Sequence, residues 1–248
     1  MNPVQQFQRE CATEIASQGE DTAMVKASQA WVQQANAHKY SYHFQWLGRP
    51  IIQYPQDMIA MQELIWRVQP DLIIETGIAH GGSLIFSAAM LELNAACGGN
   101  DDAKVLGVDI DIRAHNRAAI EAHPLSHRIS MIQGSSIAED VVAQVRAKAQ
   151  GRRVLVCLDS NHAHDHVLNE LQHYAPLTSL GSYCVVFDTI IEDLPDDAFP
   201  DRSWGRGRNP KTAVHEYLQT HPEFEIDDAM DSKLLISVAP SGYLRRVA

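Results

Sequence analysis

Apolar runs of strand length alternate with helical patterns through most of the chain. The runs that fit buried strands lie at residues 72–75, 105–109, 128–133, 153–158 and 182–187. Apolar positions at helical spacing lie at residues 83–94, 112–122, 137–149 and 164–174. This alternation predicts an α/β domain in which right-handed βαβ crossovers build a parallel sheet.

The C-terminal region departs from this alternation. A helix is predicted at residues 212–220, and two further apolar runs, Phe224–Asp227 and Leu234–Val238, are separated only by a short polar turn. Strands joined so closely pair antiparallel, so we expect an antiparallel hairpin at the sheet edge. Together with the parallel strands, this hairpin predicts a seven-stranded, mostly parallel sheet of Rossmann-like type.

The N-terminal region predicts added helices. Residues 3–39 are rich in alanine and glutamine, with apolar positions at helical spacing. One or two helices here would serve as a lid or as a contact in a homo-oligomer. A loop with prolines and aromatic residues follows, and Asp57 is a plausible N-cap of the next helix. We expect an N-terminal extension over residues 1–56 and one globular domain over residues 57–248.

The first predicted strand runs directly into a glycine-rich turn. The strand ends in Glu75, and the turn carries Gly77, Gly81 and Gly82 before a helical pattern opens at Ser83. A strand, a tight loop and a helix N-terminus let a nucleotide-like ligand approach the backbone, because glycine lacks a Cβ atom. Such turns also occur as plain connections, with acids that cap helices, and this alternative stays open.

The second predicted strand ends in another acid, Asp109, which could bind both hydroxyls of a ribose. The glycine spacing differs from the Gly-x-Gly-x-x-Gly pattern of dinucleotide-binding turns. A pyrophosphate would not favour Glu75 close by, whereas the cationic amino-acid part of S-adenosylmethionine would tolerate or favour it. The turn therefore resembles the first motif of a Rossmann-like methyltransferase.

Two more acids follow predicted strands that should be neighbours. Asp159 ends the run 153–158 and Asp188 ends the run 182–187. Their carboxylates should meet at one edge of a parallel sheet, where they would repel unless a cation compensates them. A hard divalent cation such as Mg²⁺ takes few protein carboxylates and keeps waters. The alternative is that each aspartate caps the helix that follows it.

Histidines cluster after the strand that ends at Asp159. We expect His162 to be a general base, because imidazole titrates near working pH. His164 and His166 are expected on the helix surface, although three histidines near an acid also fit a transition-metal site. His80, in the glycine turn, is a further candidate for contact with the cofactor.

Composition excludes several partners. The formal net charge of −11 would repel nucleic acid and anionic membranes, and the only basic patch, residues 202–211, is short and interrupted. We expect no transmembrane segment, because no apolar run approaches the ~20 residues of a membrane span. The four cysteines lack metal-site spacing and fit a reducing cytoplasm.

An ordered set of motifs resembles the cephalosporin hydroxylase / rhamnosyl O-methyltransferase family. The set covers residues 44 to the C-terminus and comprises Trp46-x-Gly48, Pro55-x-Asp57, Glu75-x-Gly77-x-x-x-Gly81-Gly82-Ser83, Gly107-x-Asp109, Asp159-Ser-x-His162, Gly205-Arg-Gly-Arg-Asn-Pro210 and Gly242-Tyr-Leu-x-Arg. The resemblance implies a class I methyltransferase fold, S-adenosylmethionine as cofactor and usually a Mg²⁺ site. It also implies an acceptor hydroxyl on a glycolipid sugar, a natural product or an antibiotic scaffold.

The resulting hypothesis is an S-adenosylmethionine-dependent O-methyltransferase assisted by Mg²⁺. Its cofactor-binding candidates are Glu75, Gly77, His80, Gly81, Ser83, Asp109, Ser135 and Asp159. His162 and Asp159 are the catalytic candidates. The segment Phe199–Pro210 is expected to form a lid over the acceptor. In that lid, Trp204 would stack on a sugar face, and Arg206 and Arg208 would meet polar or anionic groups, although solvated loop arginines are nearly as plausible.

One departure from the family pattern concerns the metal. Members commonly end the fifth strand in paired acids, whereas this chain has Phe187 before Asp188. Thr189 stands where related enzymes often carry another oxygen ligand, so Asp159, Asp188 and Thr189 or a water form the candidate metal set. Two alternatives remain: a nicotinamide-dependent oxidoreductase, and an accessory subunit that has lost catalysis, for which Phe187 is the support.

Overall fold

The computed structural model describes residues 2–248 and begins with an extension of the main domain. Two helices, α1 (Pro3–Glu20) and α2 (Thr22–Ala37), precede a small antiparallel hairpin of β1 (Phe44–Trp46) and β2 (Arg49–Ile51). The predicted N-terminal helices are confirmed. No helix within residues 2–248 combines the length and the apolar character needed to span a membrane.

The main domain is a seven-stranded sheet with helices on both faces. In chain order its elements are α3 (Pro55–Val68), β3 (Leu72–Thr76), α4 (Gly82–Ala96), β4 (Lys104–Asp109), α5 (Ala114–Glu121), β5 (Ile129–Gln133), α6 (Glu139–Ala149), β6 (Val154–Leu158), α7 (His164–Tyr174), β7 (Tyr183–Val186), α8 (Pro210–Leu218), β8 (Phe224–Ile226), α9 (Asp228–Leu234) and β9 (Tyr243–Arg246). The strand order is β5-β4-β3-β6-β7-β9-β8, and only β9 runs antiparallel to its neighbours. The α/β fold class and the seven-stranded sheet are confirmed.

Burial explains why the central strands are apolar at every position. All residues of β3 and β6 are buried, because helices cover both faces of the sheet. Ile73 and Leu155 face a core with helices α3 and α4. Ile74 and Val156 face the opposite core with helices α6, α7 and α8. The central strands are therefore held from both sides, and their C-terminal ends form a fixed edge.

Two details of the prediction are wrong. Leu234–Val238 is not the last strand: α9 occupies its start, and the strand that pairs with β8 is Tyr243–Arg246. Asp57 does not cap a helix, since α3 begins at Pro55 and Asp57 is fully buried within it. Asp57 instead accepts hydrogen bonds from Ser237 Oγ at 2.6 Å and from the amide of Val238 at 2.9 Å, at the end of the run predicted as a strand. The apolar run is thus tied to a buried acid rather than to a neighbouring strand.

The N-terminal hairpin packs closely against the start of α4. A Cβ atom at Gly82 would clash with the backbone carbonyl of Pro50, so glycine is required where strand β2 crosses the helix. Arg49, also in β2, donates to the carbonyl oxygen of His80 from Nε at 2.9 Å and from Nη2 at 2.5 Å. The hairpin therefore holds the turn between β3 and α4 from outside the sheet.

Candidate active site

Four acids lie at one edge of the sheet. Glu75 is in β3, Asp109 ends β4, Asp159 follows β6, and Asp188 follows β7 closely. These four strands are adjacent and parallel in the order β4-β3-β6-β7, so their C-terminal ends meet on the same side. The edge predicted from the sequence as the ligand side therefore carries all four acids.

The turn between β3 and α4 needs its glycines. Gly77 and Gly81 have φ angles of 89° and 81°, in the left-handed region that favours glycine. A Cβ atom at Gly77 would also clash with the backbone carbonyl of Asp159. The missing Cβ atom at Gly77 thus lets the backbone of Asp159 approach the turn, so that the end of β6 packs against it.

Glu75 is buried beneath this turn. The side chain is 4% exposed, and its Oε1 accepts a hydrogen bond from Ser83 Oγ. Burial raises the pKa of the Glu75 carboxyl to about 7, and the Ser83 hydrogen bond opposes this rise only in part. The carboxyl is ready to ionise when a positive group approaches.

Asp109 fastens the turn from the other side. Its Oδ2 accepts from the amides of Ile78 at 2.7 Å and Ala79 at 3.3 Å, and its Oδ1 accepts from the amide of Asp111 at 2.9 Å. Asp109, which was predicted to bind a ribose, therefore already accepts hydrogen bonds from backbone amides. Each of its carboxylate oxygens can still accept a further hydrogen bond. The next residue, Ile110, is 73% exposed at the cleft edge and was not predicted.

Two clefts open along this edge. The one beside Asp109 has about 140 Å³ and is lined by Gly77, Val108, Asp109, Ile110, Ser135, Ser136, Ser160, Asn161 and His166. The other has about 190 Å³ and runs past Gly77, His80, Ser83, Asp159, His162 and Asp188. Gly77 and Ser160 line both, so the two clefts adjoin. Of the cofactor candidates, Gly77, His80, Ser83, Asp109, Ser135 and Asp159 line these clefts, while Glu75 lies in a smaller cavity behind Ser83.

Asp159, His162 and Asp188 form one cluster. Ligand atoms of the three side chains all lie within 4.8 Å of one another, and His162 Nε2 is 3.2 Å from Asp188 Oδ2. Burial raises the pKa of the Asp159 carboxyl well above its usual range, and the nearby Asp188 and Glu75 raise it further. The pair of carboxylates predicted to meet here does meet.

The cluster suits a divalent cation. Two carboxylates and an imidazole are donors that proteins use for such ions, and water could fill the remaining positions. Within residues 2–248, no lysine or arginine pairs with Asp159 or Asp188 to compensate them. Phe187 is 6% exposed and adds apolar surface where a further acid was expected. Thr189 is buried, and its hydroxyl donates to the carbonyl of Pro240 at 2.7 Å, so its role as a metal ligand stays a prediction.

The other two histidines are partly buried. His164 lies between α7 and α8, with Nδ1 2.7 Å from Thr212 Oγ1 and Nε2 3.1 Å from Glu216 Oε2. His166 lines the cleft beside Asp109, and its Nε2 lies 3.1 Å from Ser136 Oγ. Both side chains are therefore on helix α7 but only partly exposed, because α8 and the loop after β5 cover part of this face.

The predicted lid is only partly at the site. Trp204 contacts His162 edge-to-face with ring centroids 5.0 Å apart and also packs on Phe199. Arg206 and Arg208 are exposed, pair with acids outside the clefts and line neither cleft. Trp204 is thus placed beside the cluster, whereas these two arginines are not.

One further cleft residue was missed. Gln53, just after β2, is buried at 6% exposure and its Nε2 is 3.4 Å from Asp159 Oδ2. The sequence offered no signal for it, because the surrounding loop has no strand or helix pattern. Its position depends on how the N-terminal hairpin docks on α4.

The sheet order, the glycine turn under Glu75 and the acids at successive strand ends define the class of this protein: it is a Rossmann-like, S-adenosylmethionine-dependent methyltransferase. The model of one family, Rhamnosyl O-methyltransferase/CmcI, matches residues 38–247. The chain belongs to this family, as its motifs suggested, and is an S-adenosylmethionine-dependent O-methyltransferase.

Individual relatives agree with this assignment. A rhamnosyl O-methyltransferase of Mycobacterium leprae is 30% identical over 205 residues, covering 81% of this chain and 82% of the relative. One of Mycobacterium bovis is 30% identical over 191 residues, covering 77% and 73%. A structure of CmcI with Mg and SAM has a TM-score of 0.55 at 21% identity, covering 84% of this chain and 78% of that one. An O-methyltransferase from Bacillus cereus with SAH has a TM-score of 0.51 at 15% identity, covering 80% and 81%. These structures confirm the fold.

Proposed function

We propose that this protein transfers the methyl group of S-adenosylmethionine to a sugar hydroxyl of a glycolipid or natural product, with a divalent cation, Mg²⁺, held at Asp159 and Asp188. The observation that carries the proposal is the cluster of Asp159, His162 and Asp188 directly beside the turn of Gly77. Donor and acceptor sites that share Asp159 would bring the reacting atoms together.

The donor would lie across the two adjoining clefts. Its adenosine part fits the cleft beside Asp109 and Ser135, where Ile110 exposes an apolar surface that nothing in the described chain covers. Its cationic amino-acid part fits over Glu75, which is buried without a lysine or arginine partner. The sulfonium supplies an already activated methyl group, so positioning can account for much of the acceleration.

The acceptor would bind on the Asp159 side. A bound cation would lower the pKa of a coordinated hydroxyl and hold its oxygen in place. His162 is within reach of that position and would accept the hydroxyl proton as general base. Trp204, which contacts His162 edge-to-face, would pack on the sugar ring. The names of the rhamnosyl O-methyltransferase relatives support a sugar as the acceptor.

The proposal extends to assembly. None of the residues of α1 is buried, and Val4 and Phe7 are exposed on it, which supports a homo-oligomer formed through this helix. A cytoplasmic location and a domain boundary at residue 56 stay predictions.

The test is a pair of titrations followed by turnover. Tryptophan fluorescence should respond to S-adenosylhomocysteine at micromolar concentration and not to NAD, since Trp204 is beside the site. Transfer of a labelled methyl group to rhamnosyl glycosides should then be measured with Mg²⁺ present. Preference for NAD would indicate an oxidoreductase. Cofactor binding without turnover on any glycoside would favour the accessory-subunit alternative, for which Phe187 is the support.

A further inference from the structure

Gln53 has a buried hydrogen-bond acceptor without a partner among residues 2–248. Its Oε1 has no partner, while its Nε2 is 3.4 Å from Asp159 Oδ2. A buried acceptor without a partner is destabilising, and a ligand that donates a hydrogen bond to it recovers that loss. Among the buried side-chain atoms without a partner, Gln53 Oε1 belongs to a residue that lines the larger cleft. The side chain is 6% exposed, so bulk solvent does not supply the missing donor.

The surroundings of Gln53 are acidic. It lies on the wall between the larger cleft and the small cavity that contains Glu75, and it lines both of them. Asp57 and Asp159 line the same cavity, and no lysine or arginine of the described chain does. A group that satisfies the Gln53 oxygen here must donate an N–H or O–H, and a positive charge on that group would also compensate the acids.

We propose that Gln53 is a donor-binding residue whose Oε1 accepts a hydrogen bond from the α-ammonium group of the methionyl part of S-adenosylmethionine. The assignment rests on the proposed function and names one more contact in the same site. It means that the loop after the N-terminal hairpin, and not only the strand ends of the sheet, contacts the amino-acid part of S-adenosylmethionine.

The geometry separates this role from that of a metal or acceptor contact. The amide nitrogen of Gln53, which cannot bind a cation, faces Asp159, so its oxygen is turned away from that carboxylate. Glu75 lies on the same small cavity, and it is the acid best placed for the charge of an ammonium group. The Nε2 atom of Gln53 would therefore donate to Asp159, and its Oε1 atom would accept from S-adenosylmethionine.

The experiment compares two ligands in two variants by isothermal titration calorimetry. The ligands are S-adenosylhomocysteine and its des-amino analogue, which lacks only the ammonium group. Gln53→Met keeps the length and volume of the side chain but removes the acceptor, and Gln45→Met, on the exposed surface of β1, is the matched control. Hydrogen bonds to charged groups contribute about 1.5–3 kcal/mol, so Gln53→Met should weaken S-adenosylhomocysteine about tenfold or more.

The des-amino analogue decides the outcome. We expect Gln53→Met to bind it as the parent does, so that the parent's preference for the ammonium ligand is largely lost. Equal weakening of both ligands, or of neither, would overturn the assignment. If Gln53→Met does not fold, Gln53→Glu replaces it, because glutamate keeps an acceptor at this position. Gln53→Glu should retain the preference for S-adenosylhomocysteine over the des-amino analogue, and loss of that preference would also overturn the assignment. Failure of the parent to bind S-adenosylhomocysteine would instead overturn the proposed function itself.

Discussion

The two halves of the active-site edge satisfy their acids in different ways. On the β3–β4 side, Glu75 accepts from Ser83, and Asp109 accepts from three backbone amides. On the β6–β7 side, Asp159 has only the Gln53 amide at 3.4 Å, and Asp188 faces His162. The first half is therefore held in shape by the protein itself. The second half brings like charges together, and no lysine or arginine of the described chain compensates them.

The same sequence pattern therefore has two different roles in the two halves of the edge. An apolar run that ends in an acid occurs at all four strands, yet hydrogen bonding makes a rigid turn at β3 and β4. At β6 and β7 the same pattern leaves carboxylates free for a ligand. We infer that the first half selects and holds the donor and that the second half acts on the acceptor.

Asp159→Asn gives the largest expected effect. It removes a cation ligand but should keep the cleft shape, so turnover should fall by about 10²–10³-fold or more while the Kd for S-adenosylhomocysteine changes little. Methyl-transfer assays and calorimetry measure the two quantities. Equal loss of both would show that Asp159 belongs to the donor half or is structural.

His162→Gln tests the second half at its proposed base. We expect kcat to fall about 10²-fold with donor binding unchanged, because general-base removal typically costs 10²–10⁴-fold. His164→Gln is the matched control, since His164 is turned toward Thr212 and Glu216. A similar loss in both variants would assign the effect to α7 rather than to proton transfer.

Glu75→Gln tests the first half through stability. The pKa of Glu75 is raised from 4.5 to about 7, so the folded protein holds this proton more tightly than the unfolded chain does. Its contribution is fully present below about pH 4.5 and is lost as pH rises to about 7.

The Gln variant should therefore be more stable than the parent at pH 8, by about 3 kcal/mol at most, and the two should converge toward pH 5. Urea unfolding at both pH values measures this, with the exposed Glu225→Gln as control. A difference that does not change with pH would contradict the burial argument.

The smallest effects are expected in the lid. Trp204→Ala should raise the KM for the acceptor about five- to tenfold, because it removes the aromatic surface beside His162. Arg206→Ala should change it less than about twofold, since this arginine pairs with Asp196 in solvent. Steady-state kinetics with a glycoside acceptor measures both KM values. A larger increase in Arg206→Ala than in Trp204→Ala would contradict this prediction.

Local patterns predicted the sheet and its acidic edge because burial on both faces makes the central strands continuously apolar. The patterns failed where the contacts of a residue are with residues far away along the chain. The run Leu234–Val238 resembles a strand in its sequence, but its first residue ends α9 and the amide of Val238 donates to Asp57. The buried hydroxyl of Thr189 donates to the carbonyl of Pro240, a contact that its position after Asp188 does not predict. Gln53 becomes a site residue only through the docking of the hairpin on α4, which no spacing along the chain encodes.

The most direct test of the account is a titration with Mn²⁺, a spectroscopic substitute for Mg²⁺, followed by electron paramagnetic resonance. We expect one bound ion per chain in the parent, retained in Glu75→Gln and Asp109→Asn and lost in Asp159→Asn and Asp188→Asn. Retention in His162→Gln would support its role as base, and loss there would make it a ligand. Mn²⁺ binding that is retained in both Asp159→Asn and Asp188→Asn would contradict the account. The account requires that the acids of the β3–β4 half are hydrogen-bonded within the protein and that those of the β6–β7 half need a cation.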